Sequence, residues 1–278
     1  MRQAPSIHHT LSALSPSSRA GARSEAPLRI HFPAATVSSP GVHLSKETTA
    51  VPPTFSVSAH ALQHISLPNC DLSPTTSASS VDDDSASFAT AQAAVEPEFD
   101  ARGAKRDSTE GQDDDDDDDG VPRYMIVTLD LDAPFPSFPV MSPILHGIQA
   151  DLVLDTAALD ADQEFIPFQT LPAAGRKHKV GGRTVVRYMG PAPPPPSSPH
   201  RYVCMLWAQP GGLSGRKICE VLALSASGGS ESEVGTEAGG DEAGEVGILE
   251  RVRWDEEEFE RKLGLRGEDL VGGNYFVC

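Results

Sequence analysis

Three short stretches carry residue types that could do chemistry together. Asp130-Leu131-Asp132-Ala133-Pro134 follows an apolar run, and Leu145-His146 opens another. The third, Tyr188-Met189-Gly190-Pro191-Ala192-Pro193-Pro194, leads after a five-residue gap to His200-Arg201-Tyr202. Two histidines can each donate a ring N–H to a phosphate or carboxylate, and they gain charge near neutrality at low cost. An anion between them favours the protonated rings, so its binding is expected to strengthen as pH falls. Tyr202 can add a hydroxyl donor. Asp130 would repel a bare anion, so its expected task is to fix an imidazole tautomer or to accept from an amine or water. The prolines before His200 form a stiff wall, since each ring fixes its own φ. Taken singly, Asp130 and Asp132 also suit turn formers, His146 and His200 suit satisfied core histidines, and Arg201 suits a structural ion pair.

Such groups need rigid elements to aim them. Residues 28–32 alternate, with Leu28, Ile30 and Phe32 on one face of a predicted strand. Residues 54–57 follow Pro52-Pro53, a suitable entry to a strand. Residues 124–129 are almost wholly apolar and read as a central strand covered on both faces. Further strands are expected at 146–154, 183–189 and 202–207, with a proline loop at 190–199. Many short strands between Gly/Pro turns argue for a mainly β core. Near the end of the chain, Asp255 and Glu258 form a capping-box pattern, and Trp254 and Phe259 stand at hydrophobic-staple positions. Gly264 fits the helix stop. A second helix is expected at 214–224.

The chain of 278 residues has a formal charge of −18, but the charge is unevenly placed. Residues 75–120 hold 15 acids against 3 bases, and residues 225–247 hold 6 acids and no base, so the remainder is balanced. Both acidic stretches are Ser-, Ala- or Gly-rich and are expected to be disordered insertions, too poor in apolar area to offset chain entropy. The run Asp113–Asp119 lacks the alternate carboxylates, turning Gly and distal Glu of a calcium loop. No apolar stretch is long enough for a transmembrane helix. Residues 1–26 lack the apolar core of a secretory signal; they read as a disordered tail, with a mitochondrial transit peptide as the weaker alternative. Cys70, Cys204, Cys219 and Cys278 form no C-x-x-C pair, so no zinc site or disulfide framework is indicated and a reduced, cytoplasmic setting is expected. No metal, no cofactor and no nucleic-acid partner is expected. Ser137 and Ser142 sit outside any G-x-S-x-G context.

The three signatures, in this order, resemble the phosphatidylethanolamine-binding protein family. That family's D-P-D-A-P matches Asp130–Pro134, and its L-H motif matches Leu145-His146. Its Y-x-G-x-x-P-P, five residues and H-R-Y match 188–202 without a change of length. Its closing helix and G-N-Y-F tail match 254–276, and Gly41, Leu44 and Pro52-Pro53 fall at its early turn and strand. The resemblance spans 27–278, interrupted by the insertions at 75–120 and 225–247. It implies a large central antiparallel sheet, a smaller second sheet and peripheral C-terminal helices. At one end of the large sheet it implies an anion pocket made by Asp130, Pro134, His146, Tyr188, Ala192, Pro193, His200 and Tyr202. Two positions depart from the family. Leu131 replaces its usual proline, which is expected to loosen the turn. Gly147 replaces a bulky aromatic, which is expected to weaken the strand or enlarge the cavity.

The function so implied is binding of a small anionic ligand, phosphate- or carboxylate-bearing, with a possible protein partner. Two alternatives stand beside it. One is an accessory enzyme of fungal secondary metabolism that helps couple maleic-anhydride polyketide units into dimers, in which the two histidines would bind carboxylates and shuttle a proton. The other is a protease or kinase inhibitor of the carboxypeptidase Y inhibitor type, acting through its surface and residues 1–26.

Overall fold

The computed structural model of the chain describes residues 5–15, 25–63, 121–155, 164–169, 182–226 and 246–278. In chain order the elements are α1 (Pro5–Ala13), β1 (Leu28–Phe32), β2 (Ala35–Val37), β3 (Val42–His43), β4 (Thr54–Ser58) and α2 (Ala59–Leu62). There follow β5 (Tyr124–Asp130), β6 (Ile144–Leu152), β7 (Phe165–Pro167), β8 (Arg183–Val186) and β9 (Arg201–Ala208). The chain closes with α3 (Gly215–Ala226), α4 (Ile248–Arg251), α5 (Glu256–Leu263) and β10 (Leu270–Val277).

The strands form two sheets. The larger runs β3-β10-β9-β5-β6-β8 and the smaller β2-β1-β4-β7. Among the described residues every pairing of these strands is antiparallel except β3 with β10, which is parallel. All seven residues of β5 are buried, as a strand covered on both faces requires. Period-two alternation then sorts its side chains. Met125, Val127 and Leu129 join Val203, Met205 and Trp207 of β9 in a core with Ile218 of α3 and Phe259 of α5. Tyr124 and Ile126 face the other way, with Tyr202, Cys204 and Leu206, onto Leu28, Ile30 and Val57 of the small sheet. Asn274 joins the layers: its Nδ2 donates to the carbonyls of Leu28 and Val37 at 2.8 and 3.0 Å.

Helix α5 starts where the cap residues place it. The Asp255 carboxylate accepts from the Glu258 N–H at 2.9 Å. Glu258 does not return the bond of a full capping box; its carboxylate takes Arg261 at 2.7 Å on both oxygens. The Trp254 and Phe259 rings meet at 5.2 Å, and Gly264 ends the helix at φ 69°.

The N-terminal region departs from the sequence expectation. Residues 5–13 form a helix, where the whole of 1–26 read as a disordered tail. Ile7, Thr10 and Leu11 share a face, and Ile7 is fully buried in the core under β10. Gly273 makes the docking possible. A Cβ there would stand 2.8 Å from the Thr10 Cγ2 and 2.5 Å from the Cys204 carbonyl oxygen. The helix is held by tertiary packing, which local propensity does not reveal. The insertion at 75–120 and most of that at 225–247 lie outside the described residues.

Both expected weaknesses at the departures are corrected. Leu131 is 2% exposed and packs in the helix-side core. Its N–H donates to the Arg201 carbonyl at 3.0 Å, a bond proline could not make, so the turn is tied rather than loosened. At Gly147 a Cβ would stand 3.3 Å from the Tyr188 Cα and 3.4 Å from the Val186 carbonyl oxygen. Backbone leaving β8 packs closely against Gly147, so even a Cβ there would be tight and the strand is braced rather than left open at this atom.

Candidate functional site

The candidate residues gather where β5, β6 and β9 end together. Register brings two of them face to face, since Asp130 pairs directly with Tyr202, and Tyr202 pairs in turn with Phe276 on β10. Asp130 is 3% exposed and both its oxygens are used. Oδ1 accepts from the Asp132 N–H at 2.8 Å, and Oδ2 stands 2.8 Å from His200 Nδ1. The other ring nitrogen, Nε2, lies 2.8 Å from Ser197 Oγ and 3.1 Å from the Pro134 carbonyl oxygen. Both nitrogens of His200 are therefore engaged within the chain. Asp132 is not a ligand group in this arrangement. Its carboxylate takes the Arg201 guanidinium at 2.7 and 2.8 Å and the Arg201 N–H at 2.8 Å, and this hydrogen bonding holds the Arg201 side chain above its ordinary pKa. Arg201 thus makes the structural ion pair expected of it.

His146, 3% exposed, is arranged differently. Its Nδ1 donates to the Met189 carbonyl at 2.6 Å, while the Met189 N–H donates back to the His146 carbonyl at 2.7 Å. A carbonyl can only accept, so the proton sits on Nδ1. Nε2 meets no hydrogen-bond partner among the described residues. Burial is the largest influence on this ring and lowers its pKa; the Met189 bond and Asp130 act against that, and Arg251 and His200 with it. The neutral ring presents a lone pair at Nε2.

Tyr202 is 1% exposed and its hydroxyl is enclosed, with no partner at full hydrogen-bond distance and with the Asp130 carboxylate as the polar group that acts on it. Its ring stacks on Phe276 at 5.3 Å and meets the edge of His146 at 5.0 Å. Burial first, then the charge of Asp130, hold the hydroxyl well above the ordinary tyrosine range, so it remains a donor. Tyr188 is half-buried, and its hydroxyl donates to the Thr49 carbonyl at 3.0 Å. The proline loop stands at the rim. Ala192 is exposed, and the Pro193 carbonyl accepts from Lys46 Nζ at 2.9 Å. Six of the eight candidates therefore cluster through side chain or carbonyl, while Ala192 and Pro193 only border the cluster.

Four neighbours escape a reading of the sequence. Ser197 covers His200 from within the loop. Cys278 exchanges both backbone hydrogen bonds with His200, at 2.8 and 3.0 Å, which extends the β9–β10 pairing to the end of the chain. Thr49 contacts both Tyr188 and, at 3.7 Å, the Cys278 thiol. Arg251 is 7% exposed and donates to the carbonyls of Val246, Arg187 and His146, with no carboxylate partner among the described residues. None of these had a local signal, except that Ser197 lies three residues before His200. A separate recess of about 1170 Å³, lined in part by His9, Thr10, His60, Glu164, Gly272 and Tyr275, shares none of the eight candidates. No group of three His, Cys, Asp or Glu side chains among the described residues could hold a metal ion. No described helix is long and apolar enough to cross a membrane.

Residues 77–246 match the phosphatidylethanolamine-binding protein family profile, and the chain belongs to that family. A curated relative, the carboxypeptidase Y inhibitor of Saccharomyces cerevisiae (strain ATCC 204508 / S288c), is 34% identical over 98 residues. That match covers 35% of this chain and 43% of the relative, so it spans less than half of the relative's length. Among solved structures the chain is similar to a crystal structure of carboxypeptidase Y inhibitor complexed with the cognate proteinase. Identity there is 20%, coverage 90% of this chain and 81% of that one, and the TM-score 0.46. It is also similar to a phosphatidylethanolamine-binding protein from Plasmodium vivax, at 14% identity, 55% and 62% coverage and a TM-score of 0.33.

Proposed function

We propose that this chain binds a small phosphate- or carboxylate-bearing ligand in the cluster around His146, His200 and Tyr202. The observation that carries this reading is the enclosed Tyr202 hydroxyl, short of a full hydrogen bond, on a ring that meets His146 at 5.0 Å, where the His146 Nε2 is unengaged. A buried polar group without a partner costs free energy, and a ligand oxygen would remove that cost. Asp130 and the proline loop act as supports: the first orients His200, and the second forms the rim. Calorimetric titration of the full chain with inorganic phosphate and with acetate tests the reading. Binding of either is expected, weakened roughly five- to tenfold by Tyr202→Phe through the loss of one hydrogen bond. The absence of any binding heat with both ligands would sink it.

A second reading, inhibition of a carboxypeptidase Y-type proteinase, is favoured by the 34% identity to the yeast inhibitor. Residual hydrolysis by carboxypeptidase Y in the presence of excess full chain tests it. Unchanged hydrolysis removes this reading and leaves the ligand pocket untouched. The coupling of polyketide units gains no support from the site, because backbone packs closely against Gly147, where the enlarged space that motivated it was expected.

A further inference from the structure

Three side chains stand in a row where the proline loop enters β9. The Asp130 carboxylate lies 2.8 Å from His200 Nδ1, and His200 Nε2 lies 2.8 Å from the Ser197 hydroxyl. A carboxylate oxygen only accepts, so the proton of the neutral His200 ring sits on Nδ1 and Nε2 turns a lone pair toward Ser197. His200 is 1% exposed and Asp130 3%, so solvent does not compete for their contact. Ser197 is half-buried between the exposed Pro196 and Ser198, which puts its hydroxyl at the outer end of the row. That hydroxyl also lies 2.8 Å from the Ser198 carbonyl, and rotation about Cβ–Oγ carries its proton from that carbonyl to Nε2. The Pro134 carbonyl, 3.1 Å from Nε2, is an acceptor already in place for a proton taken up there. Carboxylate, imidazole and hydroxyl in this order make the triad of acyl-transfer enzymes, which is recognised by geometry and roles and not by sequence position.

We propose that Ser197, His200 and Asp130 form a hydrolytic triad that acts on small carboxylic esters. The Ser197 Oγ attacks the ester carbonyl carbon while its proton passes to His200 Nε2. The Oγ–C bond forms, the bond to the leaving alcohol breaks, and the alkoxide takes the proton from Nε2. Water then adds to the acyl carbon and gives a proton to Nε2. The Oγ–C bond breaks and Ser197 recovers that proton, so ester and water become acid and alcohol. Ser197 and His200 are the catalytic residues, and Asp130 is a positioning residue that holds the tautomer. The loop limits the substrate. Residues 193–196 and 199 are prolines without an N–H, and the Ser197 N–H donates to the Pro194 carbonyl at 2.7 Å. The Ser198 N–H, which has no acceptor among the described residues, is the donor left beside the nucleophile for a developing oxyanion. A single donor suits esters with good leaving groups and not amides. This activity uses neither Tyr202 nor His146, so failure of the ligand reading leaves it untouched.

The test exposes the full chain to a fluorophosphonate probe and, separately, to 4-nitrophenyl butyrate. The probe should form an Oγ–P bond with loss of fluoride, and tandem mass spectrometry should place the adduct on Ser197. Hydrolysis of the butyrate should fall at least about hundredfold in Ser197→Ala, checked for folding by circular dichroism. In Asp130→Asn the ring proton of His200 moves to Nε2, which can then no longer take the proton of Ser197. There kcat should fall at least about hundredfold while KM stays within about twofold, a split that a merely structural Asp130 would not produce. An unmodified Ser197 in the native chain overturns the inference. So does hydrolysis unchanged in Ser197→Ala, which would assign the turnover to exposed imidazoles. An adduct that forms equally fast in Asp130→Asn overturns the role of Asp130 and of the tautomer it sets.

Discussion

The carboxylate of Asp130 stands 2.8 Å from the ring of His200, across 70 residues of sequence. The same carboxylate accepts the Asp132 N–H, so one side chain both orients the imidazole and shapes the turn that follows β5. An asparagine keeps the acceptor for Asp132 but turns an NH₂ toward His200, so the ring must give up its Nδ1 proton and carry it on Nε2, and the carboxylate charge is lost. Asp130→Asn should therefore lower stability by about 1–3 kcal/mol, read as a reduced urea midpoint. An unchanged midpoint would mean that neither bond contributes.

Glu256 provides a pH test away from the pocket. It is 2% exposed, its Oε2 accepts from Trp254 Nε1 at 2.7 Å, and its Oε1 has no partner among the described residues. Burial, with smaller help from Glu260 and Asp255, pushes its carboxyl from 4.5 up to about 8. A carboxyl raised in the folded state stabilises most at low pH and loses that contribution as pH rises from 4.5 to about 8. The slope is roughly 1.4 kcal/mol per pH unit within that window. Glu256→Gln keeps the acceptor for Trp254 and removes the titration. Its urea midpoint should exceed that of the unmodified chain near the upper end of the window, and the gap should close at the lower end.

Leu131 gives a test in which the family's usual residue is predicted to harm this chain. Leu131→Pro removes the N–H donated to Arg201 and a side chain buried in the helix-side core. A loss of about 2–4 kcal/mol is expected by urea unfolding. A neutral result would show that the turn tolerates either residue.

Ile7 is fully buried although it lies seven residues from the start of the sequence. Ile7→Ala should cost about 2–4 kcal/mol if α1 docks as described. A cost within the range of surface substitutions would show that the helix contributes little to stability.

Acetate binding should report the state of His146. Acetate carries no proton at neutral pH, and the neutral ring offers it no donor. Protonation of His146, whose pKa burial holds below 6.5, adds an N–H at Nε2. Acetate affinity should therefore rise as pH falls below that value, and His146→Gln should flatten the profile. Equal affinity on both sides of it would contradict the assignment.

The strands were legible because alternation and continuous apolar runs record which faces are covered. Residues 28–32 were read with their observed limits, and 124–129 fell one residue short of β5. The capped helix was legible because Asp255, Phe259 and Gly264 act through neighbours within one or two turns. Six candidate site residues that meet in the structure could be named because the motifs that carry the family resemblance are local in sequence, at a strand end or on the adjoining turn. Helix α1 was missed, since a short Ser- and His-bearing segment becomes helical only against the glycine-lined surface of β10.

By itself the sequence determined the periodicity of the strands, the helix caps, the balanced charge of the chain outside its acidic stretches and the identities of the imidazole, phenol and carboxylate groups. These follow from residue type and near-neighbour spacing. Which histidine keeps a nitrogen open was decided only by tertiary structure. That depends on the Met189 and Pro134 carbonyls and the Ser197 hydroxyl, brought to the rings by strand register and loop path. Hydrogen-bond direction is a property of pairs, and a pair exists only once the fold has set its distance.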